Sequence, residues 1–499
     1  MGLKSFLAKM AASVIVPSIY KEQQEGVYVQ QQLLRQLIKK GARTAFGKQH
    51  QFLSINTYED FKKQVPIRDY EGLKDYIERI TAGEHDVLWP GQPTYFCKSS
   101  GTTSGTKYIP LTDESIAEQI RAARNALLAY THETGKADFF DYKMIFLQGS
   151  PELDQHGAIP SGRLSGIVYH HVPAYLNANR KPSYTTNCIE DWETKVDAIV
   201  EETVNENMSL ISGIPPWVVM YFEKLIAKSG KKTIREIFPN FTVFAFGGVN
   251  YEPYRTKIES LIGGKVDSIE TYPASEGFIA FQDSQKEKGL LLNVNGGIFY
   301  EFVKADEIFN ENPERIYLAQ VELNVNYAII LNTNAGLWGY NIGDTVKFVS
   351  LEPFRIVVTG RTKHFISAFG EHVIGEEVEY AILKAAEEEA VSIIEFTVAP
   401  NVSPEQGKSF HEWFVEFDKE PIDMERFAEK VDKYLQTKNS YYFDLREGNI
   451  LDRLKIQKLQ KNAFAAYMKS EGKLGGQNKV PRLANDRKIA QGLIPFVIA

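Results

Sequence analysis

The chain has 499 residues, which predicts two or more domains because a single hydrophobic core rarely extends over so many. Its composition, with 43% hydrophobic and 24% charged residues, is that of a globular protein. The net charge of −7 gives no electrostatic reason to bind nucleic acid or anionic membrane, and two cysteines exclude a disulfide framework.

The N-terminal segment, residues 1–17, is mildly amphipathic, and because Lys4 and Lys9 interrupt it, it fits a signal peptide poorly. No apolar run in the sequence approaches the roughly 20 residues that span a bilayer. A surface helix packing on its own domain is favoured over a helix with a role at a membrane. We therefore expect a cytoplasmic protein without nucleic-acid or membrane partners.

The predicted elements begin with an amphipathic helix over residues 28–40. A short buried strand is predicted at 94–99, and Thr112 and Asp113 offer an N-cap to a helix over 114–130. Alternating strands and helices follow, which argues for an α/β domain. These strands are predicted at 144–149, 241–248 and 290–296, and these helices near 192–204 and 216–228.

From about 289 to 359 the pattern is mostly strand, which predicts a β-rich subdomain. A helix near 376–388, two strands and a helix near 423–436 then predict a small α+β domain. The fold class is therefore α/β, with a large N-terminal α/β domain containing the β-rich subdomain and a small C-terminal α+β domain. The predicted domains are 1–362 and 363–499, with a boundary at Lys363 and His364.

Small and hydroxyl-bearing residues fill 99–107, SSGTTSGTK, directly after a predicted strand. Their backbone N–H groups and hydroxyls can contact a polyphosphate, and Lys107 supplies a positive charge. The order of residues is not that of a Walker A loop. A flexible surface turn is the alternative, but the run of serines and threonines before a lysine favours phosphate binding.

Three further segments carry candidate ligand groups. In TYPASEG, 271–277, the tyrosine could stack on a purine and Glu276 could hold Mg²⁺ bridging phosphates. In YNIGD, 340–344, the carboxylate of Asp344 could accept both hydrogen bonds of a ribose diol. The basic cluster GRTKH, 360–364, suggests a hinge. Alone, each is explained equally well or better by a core tyrosine or an ordinary turn.

Together and in this order, the four segments resemble the adenylate-forming superfamily. The closer resemblance is to the Gretchen-Hagen-three family of auxin-responsive acyl acid–amido synthetases, carried by KSSGTTSGTKYIP, PASEG, NVNGGIFYEF and QNKVPRLANDR. It runs from about residue 90 to about residue 487 and implies the adenylate-forming fold. It also implies adenylation of a small carboxylic acid by ATP and Mg²⁺, with release of pyrophosphate, followed by acyl transfer to an amine such as an amino acid.

The resemblance implies roles for individual residues. Lys107, Glu276 and Lys479 would be catalytic, and Glu276 would also hold Mg²⁺. Arg124, on the helix after the phosphate loop, would approach the acyl acid, and Lys479 the incoming amine. The residues implied to contact ATP or AMP are Ser99, Ser100, Gly101, Thr102, Thr103, Gly247, Gly248, Val249, Tyr272, Ala274, Ser275, Asp344 and Arg361.

Two features depart from the family's pattern. Asn341 stands in the ribose motif where the family usually has an arginine, which bears on the contacts of domain closure. The phosphate loop looks one residue shorter, which bears on the phosphate contacts. The acyl pocket is predicted only broadly, from residues 159–163 and 166–173, where His170 and His171 are better explained as a strand-end pair than as catalytic groups.

Two other functions remain open. An acyl-CoA ligase shares the adenylation step but would release AMP only with CoA and form no amide. A nucleotide-binding module without catalysis is the more distant alternative. It is disfavoured because Lys107 and Glu276 together form a set that stabilises developing charge on phosphates.

Overall fold

The structure is a computed structural model that describes residues 2–100, 106–172, 178–248, 251–362, 365–366, 368–369, 371, 373–402, 404, 407–448, 451–473, 480–484 and 486–498. The chain forms two compact units. The first comprises Met1–Val249 and Glu259–Val358, and the second comprises Asn250–Ile258 and Thr359–Ala499. The second unit thus starts close to the predicted boundary but also takes up a segment from much earlier in the chain.

Several helices up to residue 262 begin at a residue whose side chain caps the first turn. Thr112 begins the long sixth helix, because its hydroxyl accepts from the backbone N–H of Ser115 while the Ser115 hydroxyl accepts from that of Thr112. The helices predicted over 28–40, 114–130, 192–204 and 216–228 are confirmed. They are α1 Leu3–Gln24, α2 Gly26–Gly41, α3 Ala45–Gln49, α4 Tyr58–Gln64, α5 Lys74–Thr81, α6 Asp113–Thr134, α7 Leu164–His171, α8 Tyr184–Asn187, α9 Trp192–Thr203, α10 Pro215–Ser229, α11 Ile234–Ile237 and α12 Glu252–Ile262.

One helix of the described residues, α1, is long and apolar enough by length and composition to cross a membrane, although core helices and signal sequences pass the same test. The expectation that no apolar run approaches the length of a membrane span is therefore wrong for this segment. In the first unit α1 packs on α6, with Ala12 and Val16 against Leu128. Its surface role, the favoured interpretation, agrees with this packing.

The strands of the first unit form one sheet of twelve strands and one of four. In the large sheet the strands on one side run parallel, from β6 through β3, β7 and β8 to β9, and the remaining strands pair antiparallel. The strands are β1 Tyr95–Ser100, β2 Thr106–Leu111, β3 Lys143–Phe146, β4 Asp154–His156, β5 Ile159–Gly162, β6 Arg180–Lys181, β7 Met208–Ser212, β8 Val243–Gly247, β9 Asp267–Ala274, β10 Gly277–Phe281, β11 Leu290–Leu292, β12 Ile298–Lys304, β13 Ile316–Tyr317, β14 Asn326–Thr333, β15 Tyr340–Leu351 and β16 Phe354–Arg361.

The order across the large sheet is β13-β12-β14-β15-β16-β11-β10-β9-β8-β7-β3-β6, and across the small sheet β2-β1-β5-β4. The parallel strands alternate with helices, while the antiparallel strands follow one another directly, as the sequence pattern predicts for an α/β domain with a β-rich subdomain. Two local expectations are wrong. Within 289–359, which the sequence predicts to be mostly strand, residues 316–323 contain only a two-residue strand followed by the 3-10 turn Leu318–Gln320. The pair His170 and His171 ends the helix α7 rather than a strand.

The second unit has its own apolar core. Its central sheet has the order β19-β20-β21, and α13 and α14 pack together beside it. Tyr254 of α12 donates a hydrogen bond to Glu395 in this unit, 2.5 Å away, which ties the early segment to it. Its elements are β17 Phe365–Ile366, β18 Val373–Ile374, α13 Gly375–Glu389, β19 Ser392–Asn401, β20 Phe410–Lys419, α14 Met424–Lys438, α15 Ser440–Glu447, β21 Lys455–Leu459, α16 Ala463–Ser470 and α17 Lys488–Leu493. Short 3-10 turns elsewhere are Phe52–Ser54, Glu71–Leu73, Asp138–Asp141 and Ile494–Phe496.

Candidate functional site

The predicted phosphate loop connects β1 and β2, a pair of strands that we call the phosphate hairpin after that prediction. Ser99 pairs with Lys107 and Ser100 with Thr106, so β1 and β2 flank the connection 101–105 on both sides. Lys107 therefore stands at the base of the loop, and its Nζ lies 5.8 Å from the centroid of the Tyr70 ring. The loop residues Gly101, Thr102 and Thr103 lie outside the described residues.

The second predicted segment forms a tight turn between β9 and β10. Ala274 pairs with Gly277, so Ser275 and Glu276 are the two residues at the tip of the turn. Both side chains are buried, at 8% and 7% exposure. A buried carboxylate needs hydrogen-bonding or ionic partners, so Glu276 is suited to meet a charged ligand rather than bulk water.

Two neighbouring elements hold this turn in place. The thiol of Cys97 on β1 donates to the Ser275 hydroxyl oxygen over 3.2 Å, and the Gln119 amide of α6 donates to the Ala274 carbonyl over 2.9 Å. Burial raises the pKa of Cys97 to about 12, and the negative charge of Glu276 adds to that rise. The thiol is therefore a protonated donor that links the phosphate hairpin to the turn.

The third predicted segment forms a bulge at the start of β15. The register with β14 shifts here, so that residues 342–344 lie opposite a single residue of β14. Gly343 has a φ of +87°, which glycine adopts at little cost, and its N–H donates to the Asn341 side chain over 2.9 Å. Asn341, which departs from the family pattern, thus supports the bulge that carries Asp344.

The turn and the bulge support each other through two tyrosines. The Tyr272 hydroxyl, beside the turn, donates to Oδ2 of Asp344 over 2.5 Å, while the Tyr340 hydroxyl, beside the bulge, hydrogen-bonds to Glu276. Burial raises the pKa of Tyr340 well above its usual value, and the negative charge of Glu276 raises it further, so Tyr340 stays protonated as the donor.

These hydrogen bonds also indicate how strongly the sheet curves between β9 and β15. In the strand order β9 and β15 are four positions apart, a distance of about 19 Å in a flat sheet. Direct hydrogen bonds between them require the sheet to curl strongly at this point. The curl gathers Tyr272, Glu276 and Asp344 into one site, which the spacing of the motifs in the sequence does not reveal.

Two glycines stand at the carboxyl end of β8, beside the same site. Gly247 pairs with Thr271, and a Cβ at Gly247 would lie 2.5 Å from the Thr271 carbonyl oxygen. Gly248 has a φ of +76°. Close backbone approach at the carboxyl end of a parallel strand is where open α/β sheets bind ligands. Val249 lies outside the described residues.

The remaining predicted site residues lie in other parts of the chain. Arg124 is about 140° around α6 from Gln119 and lines a cavity of about 300 Å³ beside α1, so it does not face the turn, and its role toward the acyl acid stays a prediction that this position does not support. Arg361 ends β16, is exposed and belongs to the second unit. Lys479, like the hinge residues Lys363 and His364, lies outside the described residues.

The broadly predicted acyl region adjoins the phosphate hairpin. Residues 159–162 form β5, which pairs in parallel with β1, and α7 follows directly. His170 Nε2 hydrogen-bonds to the Pro151 carbonyl over 2.8 Å, and His171 Nε2 to the Tyr95 hydroxyl over 3.2 Å. Both rings therefore have structural partners, which agrees with the non-catalytic interpretation.

A magnesium site in this structure would rest on one carboxylate. In the part of the chain that the structure describes, no three His, Cys, Asp or Glu side chains gather to hold a metal ion by themselves. Mg²⁺ in nucleotide sites is usually held by one or two carboxylates together with the phosphates and water. Glu276, buried at the tip of the turn, fits that kind of site and not an all-protein one.

Comparison with known proteins gives a consistent result. Models of the GH3 family N-terminal, central and C-terminal domains match residues 17–186 and 153–266, 291–361 and 376–488. A jasmonoyl–L-amino acid synthetase of Nicotiana attenuata is 21% identical over 91% of this chain and 90% of its own length. An indole-3-acetic acid-amido synthetase of Arabidopsis thaliana is 22% identical over 95% and 92%.

Solved structures share the fold. The GH3.15 acyl acid amido synthetase superposes with a TM-score of 0.82 at 15% identity, covering 98% of this chain and 97% of that one. A 2-hydroxyisobutyryl-CoA ligase in complex with an acyl-adenylate superposes with a TM-score of 0.61 at 12% identity, covering 94% and 91%. The predicted adenylate-forming fold is confirmed.

Proposed function

The chain belongs to the GH3 family, and we infer that it is an ATP-dependent ligase that activates a small carboxylic acid as its acyl-adenylate and transfers the acyl group to an amino acid. The observation that carries the inference is the mutual bracing of Glu276 and Asp344 by Tyr340 and Tyr272. Two carboxylates fixed in one curled sheet beside a phosphate hairpin suit a nucleotide whose ribose and phosphates must both be held.

In the first step the acid's carboxylate oxygen attacks the α-phosphorus of ATP, the bond to pyrophosphate breaks, and pyrophosphate leaves. Negative charge grows on the phosphates, and Lys107 at the base of the loop offsets it. Mg²⁺, when bound by Glu276 and the phosphates, supplies further positive charge. Asp344 accepts hydrogen bonds from the ribose hydroxyls, which fixes the α-phosphorus relative to the acid.

In the second step the amine nitrogen attacks the acyl carbonyl carbon, the bond to the phosphate oxygen breaks, and AMP leaves. The amine gives up a proton, which AMP or water accepts. We assign Lys479 to this step because it corresponds to a family lysine near the acceptor. The proposed location of the reaction is the cytoplasm.

A panel of carboxylic acids tests the proposal. The panel includes indole-3-acetic acid, named for a relative of this chain. We expect pyrophosphate release with at least one acid, and an amide detected by mass spectrometry only when an amino acid is added. A thioester formed with CoA, without amide, would instead establish an acyl-CoA ligase. Nucleotide binding without any pyrophosphate release would leave a non-catalytic module.

Two lysine variants separate the half-reactions. Lys479→Ala should leave acid-dependent pyrophosphate release nearly intact while amide formation falls and acyl-adenylate accumulates. Lys107→Ala should stop the reaction at the first step, since one charge-stabilising contact is typically worth about 3 kcal/mol in the transition state. Single-turnover assays with labelled acid measure both steps, with Lys461→Ala, on an exposed position of the second unit, as the control. Equal loss of both steps in Lys479→Ala would assign that lysine to adenylation.

A further inference from the structure

The helix α1 has one buried and one exposed apolar face. Ala12 and Val16 pack on the domain, and both ends of the helix are fixed by hydrogen bonds. The backbone N–H of Ser5 donates to Asp141 over 3.2 Å, and the Gln23 amide donates to the Leu292 carbonyl over 2.6 Å. The helix is therefore held flat along the first unit by its inner face.

The outer face of α1 carries large apolar side chains in water. They recur at helical spacing, on the side opposite the buried residues, over about 17 Å of helix length. We call them the α1 stripe: Leu3 at 74% exposure, Phe6 at 47%, Leu7 at 53%, Met10 at 54% and Val14 at 73%. Contiguous exposed apolar surface of this kind marks an interaction site more often than scattered single residues do.

Two lysines border the stripe. At 100° per residue, Lys4 and Lys9 project about 110° to either side of its centre. The first acidic residue of the helix is Glu22, more than a turn beyond the last residue of the stripe. Each flank of the stripe therefore carries one positive charge within its first two turns, which complements a surface of negative charge.

We propose that the α1 stripe docks the enzyme on an anionic lipid surface, with α1 lying in the plane of the interface. Apolar side chains would enter the boundary between headgroups and acyl chains while Lys4 and Lys9 reach the phosphates beside it. The hydrogen bonds at both ends of α1 keep it on the domain, so it lies on the membrane and does not cross it. This departs from the expectation of no membrane partner, which rested on net charge, on the lengths of the apolar runs and on the favoured packing of the N-terminal helix against its own domain.

A second copy of the chain fits the stripe less well. Whether two such helices paired parallel or antiparallel about a twofold axis, each border of the stripe would face a border that also carries a lysine. No carboxylate of the helix lies near enough to compensate for that repulsion. A lipid surface of negative charge has no such conflict.

Vesicle flotation of the full chain tests the proposal. The probes are vesicles of phosphatidylcholine alone and of equal parts phosphatidylcholine and phosphatidylglycerol. The test variant Leu3→Ser/Leu7→Ser/Val14→Ser changes three exposed residues of the stripe. The matched control Leu53→Ser/Ile422→Ser changes two exposed apolar residues elsewhere, at 88% and 101% exposure.

Wild type and the control should float with the mixed vesicles. The test variant should bind these vesicles at least about tenfold more weakly, because three apolar side chains no longer enter the interface. Lys4→Gln/Lys9→Gln should weaken binding to the mixed vesicles and remove its sensitivity to salt. Pyrophosphate release without vesicles should be unchanged in all variants. Absence of wild-type flotation, or equal flotation of the test variant, would overturn the proposal. So would a wild-type dimer, seen by analytical ultracentrifugation, that only the test variant disrupts.

Discussion

The two carboxylates of the site are held by different kinds of backbone. Glu276 is at the tip of a two-residue turn, is 7% exposed, and belongs to a turn that Cys97 and Gln119 tie to neighbouring elements. Asp344 ends a bulge, is half-buried, and receives the Tyr272 hydroxyl. The turn holds the charge of Glu276 in a low-dielectric environment, where electrostatic interactions are strong. The bulge presents Asp344 as an accessible hydrogen-bond acceptor.

The largest effect is expected at the turn. Glu276→Gln keeps the size of the side chain but removes its charge, so adenylation should fall at least about tenfold and the Mg²⁺ requirement should rise. The rate of pyrophosphate release at several Mg²⁺ concentrations measures both. Glu311→Gln, at an exposed position of the same unit, is the control. An unchanged rate at limiting Mg²⁺ would remove Glu276 from the phosphates.

At the bulge we expect an effect on binding more than on charge stabilisation. Asp344→Ala should weaken ATP and AMP roughly tenfold, because a hydrogen bond to an ionised acceptor is lost. In this variant 2′-deoxy-ATP should lose little more, since the missing hydroxyl and the missing carboxylate are the two halves of one contact. Titration calorimetry measures all four combinations. Additive losses would place the carboxylate away from the ribose.

The turn and the bulge also differ in what the sequence could reveal about them. The positions of Glu276 and Asp344 follow from short motifs next to strands, so they were predictable. The bonds from Tyr340 and Tyr272 join residues 64 and 72 positions apart through the curl of the sheet, and no local pattern encodes that curvature. For Cys97 the sequence predicts only a buried strand residue and not its hydrogen bond to Ser275.

The prediction of the other elements was also limited to those with a clear local pattern. Amphipathic periodicity located α2, α6, α13 and α14, because each buries one face against its own unit. The segment Asn250–Ile258 follows α/β elements in sequence, yet it belongs to the second unit, because Tyr254 bonds there. The sequence predicts a strand end where the helix α7 forms, because its short apolar run has no strong period.

Replacing each tyrosine by phenylalanine tests whether the Tyr340 hydroxyl supports Glu276 and the Tyr272 hydroxyl supports Asp344. Tyr340→Phe should raise the Mg²⁺ requirement about fivefold, and Tyr272→Phe should weaken the ribose contact by a similar factor, since each variant loses one hydrogen bond worth roughly 1 kcal/mol while the carboxylate itself remains. The two effects should be separable in Mg²⁺ titrations and in the comparison of ATP with 2′-deoxy-ATP. Tyr327→Phe, a buried tyrosine of the same sheet whose hydroxyl accepts from a backbone N–H, is the control. Identical profiles for the first two variants would mean a general loss of order.

The smallest effect is expected at Cys97, which supports the turn and not the bulge. Cys97→Ala should lower the free energy of unfolding by about 1 kcal/mol through the lost hydrogen bond to Ser275, with the ratio of ATP affinity to 2′-deoxy-ATP affinity unchanged.

Burial raises the pKa of the Cys97 thiol from its usual value near 9 to about 12, so between these pH values the folded protein holds a proton that the unfolded chain releases. Stability should therefore fall as pH rises through this window in the wild type, and less steeply in Cys97→Ala. Urea unfolding at about pH 8 and about pH 10 measures the difference, with Cys188→Ala as the control for loss of a thiol. Parallel pH profiles in the wild type and Cys97→Ala would show that the thiol titrates as freely in the folded protein as in the unfolded chain, and the turn would then be supported by the Gln119 bond from α6 and not by the hairpin.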